Sequence, residues 1–249
     1  MVVLTSQLPS GGFGYDFPSV TVNPMTFLEL TRYLENVPKD PLEKYLFDIK
    51  QLIKEDPNIQ KCYVMDVDFL IFYRKLCTVS DDLSYDLTVS CPTCGKTLRK
   101  KITLDQDIHF RQIDEKVMSG AIVELGGHKY DIAVPTINDF LKVFEKYLRY
   151  RKVTDLKMIK TIALVKDFDY NANQIEKDVL DAKHEDITLL MALRDLYYDR
   201  VEPVTVICPD CKEKEGGGLV AVSVESLIVD FFRDLYRNSP IDGSKILFK

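Results

Sequence analysis

The chain has 249 residues, 46% hydrophobic and 29% charged, with a net charge of −6 and no tryptophan. That length suits one large domain or two small ones, and it buries a core without staples. The negative balance argues against bulk attraction to nucleic acid. The most apolar short run, Val67 to Tyr73, is broken by Asp68 and falls far below the roughly 20 residues of a membrane span.

The opening residues carry neither a basic nor an apolar leader pattern, so a cytosolic setting is expected, where thiols stay reduced. Six cysteines in that setting suggest metal before disulfide. Residues 1–22, with Ser10-Gly11-Gly12-Phe13-Gly14-Tyr15 and no helical period, read as an extended or mobile arm. Residues 23–80 read as a helical segment. Asn23-Pro24 offers a cap and a first-turn proline, with Phe27, Leu30 and Leu34 on one face. Asp40-Pro41 starts a second helix whose stripe is Leu42, Tyr45, Leu46, Ile49, Leu52 and Ile53, and Asp56-Pro57 ends it. A third helix, about Asp66 to Cys77, is apolar on most sides and should be central.

From 81 to 135 the period changes to two. Tyr85, Leu87 and Val89 alternate with polar residues and run into Cys91-Pro92-Thr93-Cys94-Gly95-Lys96. Leu98, Ile102 and Leu104 mark the return strand. A second hairpin turns at Gly126-Gly127, between Ile122–Leu125 and Lys129–Val134. Residues 136–201 read as a helical insertion. Thr136-Ile137-Asn138-Asp139 is a capping-box variant, with Phe140, Val143, Phe144, Tyr147 and Leu148 as its face. Helices follow near 154–167, 173–182 and 185–200, the last with Leu189, Leu190, Leu193, Leu196 and Tyr197 as a buried stripe. Residues 202–249 carry strand residues Val204 and Val206, then Cys208-Pro209-Asp210-Cys211, glycines 216–218, a return strand 219–224 and a final helix over 225–237. The five segments are expected to form one domain.

The two CPxC turns carry the strongest chemical signal. Such a knuckle points two sulfurs and successive backbone N–H groups at one ion, and two knuckles close a tetrahedral shell of four thiolates. Cys91, Cys94, Cys208 and Cys211 are therefore expected to hold one structural zinc ion, although residues 95–207 lie between the pairs. The expected fold is α+β: mainly helical with β-hairpins, including a split zinc-ribbon-like unit interrupted by the helical insertion. Neither CPxC sits between a strand and a helix of a βαβ unit, as a redox motif would. Cys62 and Cys77 lie among apolar residues and read as core.

The phosphate-loop, dinucleotide, metalloprotease and nucleophile-elbow motifs are absent, so no catalytic residue is assigned and no enzyme is expected. His184-Glu185-Asp186 reads as a polar helix start, His128 as surface, and Asp81-Asp82 as a solvated loop. A basic stretch, Lys142, Lys146, Arg149, Arg151, Lys152, Lys157 and Lys160 with Tyr147 and Tyr150, fits the wet face of two helices better than an RNA site. With Arg99-Lys100-Lys101 it leaves a nucleic-acid-binding or regulatory zinc ribbon as the alternative function.

Several runs carry a resemblance. Phe69-Leu70-Ile71-Phe72-Tyr73-Arg74-Lys75-Leu76 followed by the first knuckle, the Ser10-Gly11-Gly12 arm, and Asn23-Pro24-Met25-Thr26-Phe27-Leu28-Glu29-Leu30 are similar to the baseplate family of T-even-like contractile phages. The length is similar to that of its larger members, which act in hub assembly. The resemblance implies a late, non-enzymatic assembly role in the cytoplasm of the infected host. The implied partners are baseplate hub proteins, with no small-molecule substrate.

Overall fold

The computed structural model describes residues 1–79, 83–109, 113, 115–150, 156–166, 174–175, 177–179, 181, 184–198, 202–211 and 218–222. The expected α+β class holds: helices dominate, joined by small antiparallel hairpins, and the four cysteines of the ribbon-like unit converge.

The N-terminal arm, expected to be extended or mobile, contains two extended segments that pair with each other. Strands β1 (Val2–Leu4) and β2 (Ser19–Thr21) pair antiparallel, Val3 opposite Val20. The intervening strap turns over the start of helix α3 (Val64–Val79). There the fully buried Asp66 accepts from the Ser10 backbone at 2.8 Å, the Ser10 hydroxyl at 2.6 Å and the Tyr15 hydroxyl. The Tyr15 oxygen in turn accepts from the Tyr63 backbone at 2.7 Å. A carboxylate so placed is satisfied three times over and ties an otherwise glycine-rich segment to the core.

Helix α1 (Phe27–Asn36) starts later than expected. Its cap is Thr26, in a capping box with Glu29, and not Asn23. Tertiary contacts hold 23–25 extended. Asn23 donates to Glu55, its carbonyl accepts from Arg74, and the Met25 backbone donates to Thr78 Oγ1 at 3.0 Å. The face also differs: Phe27 is 87% exposed, Leu30 and Leu34 are half-buried, and Tyr33 is buried. Helix α2 (Pro41–Glu55) matches its expected bounds, capped by Asp40 Oδ1 on the Leu42 and Glu43 N–H groups.

Helix α3 is the central element. Val64, Met65, Val67, Phe69, Leu70, Ile71, Phe72 and Leu76 are all buried on it. Each large apolar side chain so buried contributes roughly 1.5–3 kcal/mol. The same helix carries three charges that are satisfied by groups of other elements. Asp66 holds the strap. Lys75 Nζ lies 2.8 Å from Asp48 Oδ2 of α2, whose other oxygen accepts from the Tyr33 hydroxyl at 2.7 Å. Asp68 accepts from Tyr45 and from Lys160 Nζ at 2.5 and 2.8 Å.

Strands β3 (Ser84–Ser90) and β4 (Thr97–Thr103) form the first long hairpin, with Leu87 opposite Lys100. Two short helices follow, α4 (Leu104–Asp107) and α5 (Glu115–Met118). Strands β5 (Ala121–Leu125) and β6 (His128–Ile132) turn at the glycine pair as expected. Helix α6 (Ile137–Tyr150) buries Phe140, Val143, Phe144 and Tyr147, with Phe140 edge-on to Tyr45 at 6.0 Å.

Helix α7 (Leu156–Ala163) ends sooner than expected, and the residues after it are stitched to the end of β6, through Ala133 to Leu164 and Lys166 to Asp131. Lys160 lies on α7, buried between the Tyr45 and Tyr198 rings at 5.5 and 5.4 Å. With Lys160 and Tyr147 buried, the basic stretch is not one continuous wet face. Helix α8 (His184–Tyr198) buries Tyr197, but Leu189 and Leu196 of the expected buried stripe are exposed. Strands β7 (Val204–Ile207) and β8 (Leu219–Val222) form the last hairpin. The expected helix over 225–237, the Asp81-Asp82 loop and the side chains of Leu148 and Leu190 lie outside the described residues. Among the described residues no helix is long and apolar enough to cross a membrane.

Candidate metal centre

Each knuckle grows out of a hairpin whose alternation buries one side. Tyr85, Leu87, Leu98 and Ile102 of the first hairpin are buried, as are Val204 and Val206 of the second. Two contacts tie the hairpins side by side at some distance from the knuckles. The Glu202 N–H donates to the His109 carbonyl at 2.8 Å, and Lys100 Nζ donates to the Thr205 carbonyl at 3.4 Å. The two hairpin regions are thus joined at these points as well as at the knuckles.

Both turns close back onto the carbonyl of their first cysteine, by different hydrogen bonds. In the first, the Cys91 N–H donates to the Lys96 carbonyl and the Gly95 N–H to the Cys91 carbonyl, both at 2.9 Å. Gly95 sits at φ 73°, where a side chain would be strained. In the second, the Cys208 N–H donates to the Gly218 carbonyl at 3.0 Å and the Cys211 N–H to the Cys208 carbonyl at 3.2 Å.

The sulfurs of Cys91, Cys94, Cys208 and Cys211 all lie within 4.8 Å of one another. Cys94 Sγ and Cys208 Sγ are 3.8 Å apart, across the two knuckles. A tetrahedral shell with zinc–sulfur bonds of about 2.3 Å has sulfur–sulfur edges of about 3.8 Å. The donor set and its spacing thus fit a tetrahedral metal ion. Cys91, Cys208 and Cys211 are buried and Cys94 is exposed.

The electrostatics point the same way. Desolvation pushes the Cys91 thiol up, but the backbone N–H groups of Cys94 and Thr93 outweigh it and bring the group down to about 7. Desolvation and the neighbouring sulfurs push Cys211 up to about 12, and desolvation also raises Cys208. Four such groups do not all ionise together without a cation among them. One cation stands at the rim: Lys96 Nζ lies 2.6 Å from Asp210 Oδ2, joining the two knuckles. The Asp210 carboxylate, and then the Cys208 and Cys94 sulfurs, hold this ammonium above its usual lysine value.

Gly218 is the site residue that sequence reasoning missed. It was read as loop, yet a Cβ there would stand 2.7 Å from Cys211 Cβ, 2.9 Å from Cys208 Cβ and 3.4 Å from Cys91 Sγ, at φ 55°. The signal available was its place immediately before a strand that returns past two cysteines of the cluster. The Lys96–Asp210 pair was also missed, because each residue is an ordinary surface charge until the knuckles meet.

The remaining candidates behave as follows. Cys62 and Cys77 are buried and stand apart from the cluster, with desolvation pushing their thiols up to about 12 and about 11. His128 is half-exposed, as a surface histidine should be, but its Nδ1 meets Asp178 Oδ2 at 2.8 Å. The same carboxylate accepts from Tyr130 and Gln174 at 2.5 and 2.8 Å. That cluster closes the β5–β6 turn onto residues 177–179. His184 opens α8, consistent with a polar helix start. No protein-family model, no curated protein and no solved structure matches the chain.

Proposed function

We propose that this protein is a non-enzymatic assembly factor for the central hub of a contractile-phage tail baseplate, with its fold held by one structural zinc ion. The observation that carries the reading is the closed cluster of Cys91, Cys94, Cys208 and Cys211. Four protein thiolates fill a tetrahedral shell and leave no position for water or substrate, which is the pattern of structural zinc. Bound there, zinc would neutralise thiolates that otherwise repel one another, and it would hold together two hairpins far apart in sequence. Closing so long a loop by a single ion removes much of the freedom of the unfolded chain.

The partner class rests on the resemblance of the Ser10-Gly11-Gly12 arm, the Phe69–Leu76 helix and the first knuckle to the T-even-like baseplate family. Exposed apolar side chains, among them Phe27, Leu28 and Met191, supply surface of the kind a protein partner covers. The setting would be the host cytoplasm. The test is affinity capture of the tagged chain from infected cells late in infection. Recovery of baseplate hub subunits is the expected result; recovery of none refutes the assignment.

A further inference from the structure

The four ligands are not equivalent. Three are buried, and Cys94 alone is exposed, on a turn whose residues 92–96 all face solvent. Its sulfur stands 3.8 Å from that of Cys208, a residue of the other knuckle with no exposed surface. The Lys96 ammonium sits beside this pair, bridged to Asp210. An accessible sulfur with a second sulfur within short reach behind it makes up the parts of a thiol oxidation site.

We propose that the centre is also a peroxide-sensitive clasp, in which Cys94 is oxidised first and then joins Cys208 in a disulfide across the knuckles. This rests on the metal centre proposed above. The oxidant is a hydroperoxide. The Cys94 thiolate attacks one peroxide oxygen, the O–O bond breaks, and Cys94 becomes a sulfenic acid while hydroxide leaves. The Cys208 thiolate then attacks the Cys94 sulfur; the S–S bond forms and a second hydroxide leaves. Two protons from solvent convert the hydroxides to water. Two thiolates have lost two electrons, and hydrogen peroxide has gained them.

Cys91 and Cys211, left as two donors of four, no longer hold the ion. The hairpins nevertheless stay joined, because the new bond spans residues 114 positions apart in the chain. A disulfide within either CPxC would instead leave the two knuckles with no covalent or metal bond between them. The cross-knuckle bond therefore exchanges a metal clasp for a covalent one and leaves the fold closed.

The experiment uses the full chain as purified, with hydrogen peroxide as oxidant and a chromophoric chelator to follow zinc. Intact mass and peptide mapping follow the thiols. The expected result is release of the one bound zinc with loss of two hydrogens in mass, a mapped Cys94–Cys208 bridge, and Cys62 and Cys77 left as thiols. Dithiothreitol with added zinc should reverse it. Zinc retained under peroxide, oxidation to sulfinic acid without a bridge, or a bridge within one knuckle overturns the proposal while the metal centre stands. Protein purified with no bound metal overturns the metal centre and this proposal together.

Discussion

Replacing Gly218 by alanine tests how tightly the second knuckle is built around its ligands. The added Cβ would lie 2.7 Å from Cys211 Cβ and 2.9 Å from Cys208 Cβ. Carbon atoms prefer about 3.5–4.0 Å, so the loop or the ligands must move by about 1 Å. Neither neighbour is the free end of a flexible side chain; both are ligand carbons one bond from the sulfur. Metal–ligand distances tolerate only about 0.2 Å. Loss of this support is expected to weaken metal binding about 10–100-fold, the scale seen when groups that orient ligands are removed.

The φ of 55° adds a second cost, on the order of 1–2 kcal/mol for any L residue in the left-handed region. Gly95→Ala separates the two effects. Gly95 sits at φ 73° with nothing within 4 Å of its would-be Cβ. Both variants should therefore lose similar backbone stability, and Gly218→Ala alone should lose most of its metal affinity. The assay is chelator competition for zinc on the two variants and the parent chain. Equal affinities for the two variants would refute the packing argument.

The buried charges offer two further tests. Desolvation raises the Asp66 carboxyl to about 6, against the opposing donors Ser10 and Tyr15. The folded chain therefore binds this proton more tightly than the unfolded one. The stability from Asp66 is fully present below about pH 4 and is lost as pH rises through about 6. Urea unfolding of the parent and Asp66→Asn across pH 4–7 should show a gap that narrows with rising pH; a gap that does not change with pH contradicts this. Removing one partner of a buried ion pair leaves the other charge stranded, so Lys75→Met should cost about 3–5 kcal/mol in the same measurement. A loss below about 1 kcal/mol would mean that Asp48 is rescued by Tyr33 or by water.

Features that depend on near neighbours are legible in the chain before it folds. Asp40-Pro41 capped α2 because a carboxylate two residues before an open N–H reaches it in any context. The glycine pair turned β5 into β6, and period-two alternation marked the strands that lead to the knuckles. The four cysteines of the candidate centre were legible because a CPxC turn is a local geometry.

Tertiary structure alone decided which local option won. Asn23 has the residue type of a cap, yet Thr26 caps the helix, because Glu55, Arg74 and Thr78 bind residues 23–25 first. A glycine-rich arm became an ordered strap because a carboxylate 56 positions away accepts its donors. Lys75 and Lys160 went inward because each met an aspartate from another helix, and no periodicity within one helix reports such a partner. The shared centre has the same origin. The two knuckles come from segments far apart in the chain, and Gly218 became a site residue only when the fold brought it against Cys211, Cys208 and Cys91.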